Sequence, residues 1–142
     1  MSSRLNQGIR EKYGNCYNIF SFLNLYSDTG DVGVYIGTDP AWTPRARKLI
    51  LRELDRLAQN SVSPRSLEQA KSQVKGHMVL GLESTSNRMQ RIARQELLFG
   101  RFIALDEVLD ELDYVTTDNI QTAAQMLYEP EGWSTVLLLP QD

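Results

Sequence analysis

The spacing of apolar positions changes several times along the chain, and each change marks an element. In residues 2–13, Leu5 and Ile9 lie four apart on one helical face, Ser2 or Ser3 can cap, and Gly14 follows where a left-handed backbone is tolerated. This spacing predicts a helix over 2–13 with Arg10, Glu11 and Lys12 in its last turn. "CYNIFSFLNLY" is aromatic and β-favouring, "SDTGD" supplies turn residues and "VGVYIGT" returns, which predicts a hairpin over 16–38. Val32, Val34 and Ile36 alternate with Gly33, Tyr35 and Gly37, so one face is apolar and the glycines leave the other open to close packing.

Pro40 and Pro44 mark a change to helical spacing, with Thr43 placed to cap. Ala46, Leu49, Ile50, Leu54 and Leu57 form one stripe, up to about Gln59. After Ser63 and Pro64, the residues Leu67, Ala70, Val74, Met78 and Leu82 form another. A third helix, from about Ser86 to Phe99, ends at Gly100, with Met89, Ile92, Ala93 and Leu97 expected to face inward. Two shorter helices, at 105–113 and 117–128, complete a helical region over 43–128. Pro130 and Gly132 predict a turn, and "WSTVLLL" a final strand over 133–139. The order is helix, hairpin, helices and a last strand without βαβ alternation, so the fold class is α+β, an antiparallel sheet with helices packed on one face. One domain over 1–142 is expected. Three strands make a thin sheet with open edges, so further strands are expected from outside this chain, from a partner, or from a second copy in a homodimer.

Composition narrows the function classes. The 142 residues are 42% hydrophobic and 23% charged, in the globular range, and a net charge of −3 provides no cationic field for nucleic acid. No apolar run approaches a membrane span, and "MSSRLNQ" has no signal core, although a longer parent could have carried a targeting segment since removed. The single cysteine, Cys16, forms no internal disulfide, which suits a soluble, cytoplasmic protein better than a secreted one.

Most side chains with reactive chemistry have an ordinary reading. His77 is the only histidine, and neither H-x-x-E-H nor H-E-x-x-H is present, so no metal site and no catalytic residue is expected in this chain. Cys16 lacks an adjacent base in sequence, and Asp110, Glu111 and Asp113 read as a solvated face. Arg88, Arg91 and Arg94 recur at three-residue spacing, as an acidic-partner stripe or an ion-paired face. Arg10 and Tyr17 remain open. They read either as a helix-end charge and a strand aromatic, or as a guanidinium and a phenol donor converging on a peptide carbonyl. Composition and period do not choose between these.

The stretch "MSSRLNQGIREKYGNCY" resembles the signature of the C-terminal half of the pitrilysin and insulinase family of zinc metallopeptidases, which includes the mitochondrial processing peptidases. "YSDTGDVGVYIGTDP", "SLEQAKSQVKGHMVLGLESTSNRMQRIARQELLFGR", "ALDEV" and "VTTDNI" continue the resemblance over nearly the whole chain, in order. It implies one half-domain of a two-half chamber, with zinc bound through H-x-x-E-H in an N-terminal half or partner subunit. It also implies that Arg10 and Tyr17, seven apart, bind the backbone of a peptide substrate. The family's half is longer at its N-terminus, so this chain is expected to start partway into the fold. The function implied is a non-catalytic portion of a zinc metallopeptidase; the alternative is a partner subunit or scaffold without peptidase activity.

Overall fold

The computed structural model describes residues 3–129 and 132–139. Ser2 and Pro130, which carry part of the expected first cap and last turn, lie outside the described residues. The described chain forms two compact units, Met1–Asn60 with Gln121–Asp142, and Ser61–Ile120, where one domain over 1–142 was expected.

In the first unit the opening helix is not a regular α-helix. Its middle, Asn6–Glu11, is a π-helix, flanked by α-helical residues at 4–5 and 12–13. Ser3 Oγ accepts from the Asn6 N–H (3.2 Å) at the start, and Gly14 (φ +67°) closes the end, its N–H donating to the Arg10 carbonyl at 2.9 Å. Two antiparallel strands follow, β1 (Cys16–Leu25) and β2 (Gly30–Thr38). Ile19 faces Ile36, Ser21 faces Val34 and Leu23 faces Val32 on one side; Phe20–Tyr35, Phe22–Gly33 and Asn24–Asp31 face each other on the other side. A short 3₁₀ turn, Pro40–Trp42, leads into helix α1 (Thr43–Gln59). Thr43 does not cap α1; its hydroxyl donates to the Asp39 carbonyl (3.3 Å).

The buried cluster Ile9, Cys16, Ile19, Leu49 and Ile50 joins the opening helix, the inner face of β1 and the apolar stripe of α1, with Val34, Ile36, Trp42 and Leu54 packed around it. The other sheet face has its own packing. The Phe22 ring lies across Gly33, where an added Cβ would sit 2.2 Å from Phe22 Cζ, and Phe20 stacks on Tyr35 at 5.0 Å. Gly33→Ala is therefore expected to push the Phe22 ring off the sheet and destabilise the chain by about 1–2 kcal/mol. Urea melts of the Gly33→Ala and Gly37→Ala chains test this, because a Cβ at Gly37 meets no atom closer than 3.7 Å.

Residues 133–139 are not a strand. Strand propensity needs a ladder partner, and this segment pairs with neither β1 nor β2. It is tied to α1 by Arg47 Nε donating to Thr135 Oγ1 (3.0 Å), while Leu138 is 99% exposed. Among the described residues the sheet thus has two strands where three were expected.

The second unit contains α2 (Pro64–Gly81), α3 (Thr85–Phe99) and α4 (Leu105–Asp113). Ser63 caps α2 and Gly100, at φ +64°, ends α3. The boundary with the first unit falls within α5 (Thr117–Leu127). Of the expected α2 stripe only Leu67 is buried, beside Lys71, whose Nζ donates to the Asp113 carbonyl (2.9 Å). Met89, Ile92, Ala93 and Leu97 do not face inward. Leu97 is 85% exposed, and the buried residue of α3 is Gln95, which accepts from the Ile103 N–H (3.2 Å). Helical period identifies an apolar face, but the cover for this one is not among the described residues.

Candidate functional site

Two backbone irregularities bracket the end of the opening helix and the start of β1. The first is the π-helix. It carries Ile9, fully buried in the cluster, and next to it the half-buried Arg10. A π-helical turn holds one residue more than an α-turn, so it re-aims the side chains after it, and such turns recur at functional sites. The second is in β1, where Cys16 faces Thr38 and Asn18 faces Gly37, leaving Tyr17 as an extra residue in a β-bulge. The bulge explains the burial pattern. Cys16 and Ile19, three apart, share the core face, which strict alternation would forbid.

Tyr17 is turned outward and 73% exposed. Its phenol donates to Asp39 Oδ1 at 3.1 Å. The carboxylate acceptor, and then its charge, favour the protonated phenol and raise the Tyr17 pKa above its ordinary value. Folding therefore holds this proton more tightly than the unfolded chain does. The contact contributes stability below about pH 10, and the contribution is lost as pH rises through the raised value. A spectrophotometric titration of the chain minus that of Tyr17→Phe is expected to show one phenol titrating above the ordinary range.

Arg10 and Cys16 are electrostatic neighbours. Burial pushes the Cys16 thiol up, and the Arg10 charge pulls it down by less. The thiol is thus protonated and inert. Alkylation of Cys16 by iodoacetamide at pH 8 is expected to be at least about tenfold slower in the folded chain than in urea, because only the exposed thiolate reacts. A folded rate equal to the unfolded one would contradict its burial.

The other candidates keep their ordinary roles. His77 is exposed on α2, and among the described residues no three His, Cys, Asp or Glu side chains are grouped to hold a metal ion. Arg88 donates to the Leu82 carbonyl and Arg91 to the Ile103 carbonyl (3.0 Å), so both fasten backbone rather than form a free cationic stripe. Asp39 is a residue the sequence pattern does not single out; the available signal was an Asp–Pro step at a strand end. No helix among the described residues is long and apolar enough to cross a membrane.

Residues 1–74 match the sequence model of the Peptidase M16 inactive domain. The chain is 34% identical over 140 residues to the uncharacterized zinc protease YmxG of Bacillus subtilis, covering 99% of this chain and 34% of that one. It is 36% identical over 125 residues to an uncharacterized zinc protease of Streptomyces coelicolor, covering 88% and 27%. Among solved structures it is similar to a chain of Complex III2 from Candida albicans, Inz-5 bound (TM-score 0.78, 24% identity, 89% of this chain and 30% of that one). It is also similar to a conserved protein from Enterococcus faecalis (TM-score 0.73, 24% identity, 87% and 28%). The chain spans about a third of the length of the curated relatives it matches. The chain belongs to the M16 family, the pitrilysin and insulinase zinc metallopeptidases, and corresponds to that family's inactive domain.

Proposed function

We propose that the chain forms the substrate-clamping side of a peptidase site whose zinc is bound by an H-x-x-E-H-bearing part of the same protein or of a partner. Tyr17 donates its phenol proton to the scissile carbonyl as charge develops on the oxygen, and Arg10 holds a neighbouring peptide carbonyl through its guanidinium. The observation that carries this reading is that both residues sit on backbone irregularities, a π-helix and a β-bulge, while the residues beside them, Ile9 and Cys16, are locked in the core. Such departures cost regular hydrogen bonding and cluster where side chains are re-aimed for function. The test is peptidase activity and zinc content of this chain alone, of a zinc-motif half from the same source, and of their mixture. Activity only in the mixture is expected. A folded, zinc-loaded mixture that cleaves no peptide would overturn the reading.

Exposed apolar side chains favour a second role, closing the chamber or joining a partner as a scaffold. Leu97 and Leu138 are almost fully exposed, and among the described residues β1 and β2 each have an edge with no strand paired to it. Without the zinc-bearing half, two copies are expected to cover these surfaces mutually. Sedimentation showing a well-folded monomer at every concentration would refute the homodimer. The single reduced cysteine fits a cytoplasmic setting.

A further inference from the structure

We propose that Asp39 is the positioning residue for Tyr17, holding the phenol in one orientation as a donor until a substrate carbonyl takes over its hydrogen bond. This rests on the clamp reading above and assigns it a further residue.

Tyr17 needs such an anchor. The bulge lifts it off the core face, and an exposed ring is free to rotate about its side-chain bonds. The bond from its hydroxyl to Asp39 Oδ1 restrains that rotation. Asp39, in contrast, sits on fixed backbone. It precedes Pro40, which restricts it to the extended region where it lies (φ −65°, ψ 143°). Its carbonyl accepts from the Trp42 N–H at 2.9 Å and from the Thr43 hydroxyl at 3.3 Å, and Trp42 packs on Tyr13 with ring centres 6.2 Å apart. The neighbouring Thr38 closes the ladder opposite Cys16 and donates its hydroxyl to the Asn15 carbonyl. Residues 17 and 39 are thus clamped at the same end of the hairpin, one by a bulge and the other by a turn.

The chemistry suits a donor awaiting a substrate. A carboxylate accepts only, so the phenol must point its proton at Asp39, and the proton stays on the phenol oxygen. The bond is solvent-exposed and, at 3.1 Å, long for a phenol donating to a carboxylate, so a peptide carbonyl can displace it without opening a buried contact. No covalent bond changes in the exchange.

The test uses the active mixture with Asp39→Ala, Asp39→Asn, Tyr17→Phe and the Tyr17→Phe/Asp39→Ala double variant. Neither Asp39 change touches the carbonyl that holds the turn, and circular dichroism checks each fold. Asp39→Ala is expected to lower kcat by about five- to tenfold, the scale of freeing one ordered side chain. Asp39→Asn, whose amide oxygen still accepts, is expected to retain most of it, and the Ala change is expected to add nothing once Tyr17 is Phe. That non-additivity is the signature of action through Tyr17, which a general structural role would not give. If Tyr17→Phe impairs the enzyme while Asp39→Ala leaves kcat within about twofold, or if the two losses multiply, this role is overturned and the clamp stands. If Tyr17→Phe costs nothing, the clamp and the role of Asp39 fail together.

Discussion

Tyr17→Phe is expected to lower kcat of the zinc-containing mixture by about a hundred- to a thousandfold, the usual loss on removing one donor to a developing oxyanion. KM should change little, because the phenol's bond to a carbonyl strengthens as charge builds and is worth less in the ground state. The substitution removes only a hydroxyl from a 73%-exposed ring, so folding and zinc content are expected to be unchanged. Arg10→Ala should behave differently. A guanidinium on a neighbouring, non-reacting carbonyl binds substrate and transition state alike, so the loss is expected chiefly in KM, with Arg10→Lys restoring part of it. Steady-state kinetics with one peptide across the three variants separates these outcomes. Equal kcat for Tyr17→Phe and the unmodified protein would return Tyr17 to an ordinary strand aromatic.

The second large effect concerns stability. Ile19 is 2% exposed and Ile9 0%, in a buried cluster of five residues that joins three elements. Truncating either to alanine deletes buried methyl groups and leaves a cavity, at an expected cost of about 3 kcal/mol, while valine should cost about 1 kcal/mol. In so small a core that is a large share of the stability of an ordinary domain. The two sites differ in what they position. Ile9 adjoins Arg10 in the π-helix, so Ile9→Val, although folded, should raise KM, whereas Ile19→Val should leave the kinetics alone. Urea denaturation followed by circular dichroism, paired with KM, measures both; identical kinetics in the two valine variants would show that the π-helix does not set Arg10.

Locally determined features were legible in the sequence. Gly14 and Gly100 end their helices at positive φ, Ser63 caps α2, and the stripe through Ala46, Leu49 and Ile50 is buried as its spacing implies. Features set by tertiary context were not. Nothing in "NQGIRE" distinguishes a π-turn from an α-turn, since the choice is made by packing of Ile9 against β1 and α1. The bulge left a trace: Cys16 and Ile19 are apolar at a spacing of three, out of step with a strand. Met89, Ile92 and Leu97 were misplaced because a stripe shows that a face is apolar, not what covers it. Arg10 and Tyr17 could be picked out only by likeness to a family, because a helix-end arginine and a strand tyrosine are individually common.

The bulge also makes an unusual statement about chain length. Remove residue 17 and the ladder closes without it: Cys16 stays opposite Thr38, Asn18 opposite Gly37 and Ile19 opposite Ile36. A single-residue deletion inside a strand ordinarily slips the register and turns its core side out, yet here it would straighten the strand and leave every inward residue in place. The hairpin architecture has no use for the seventeenth residue, so a shortened chain should fold with the same pairing and lack only the phenol.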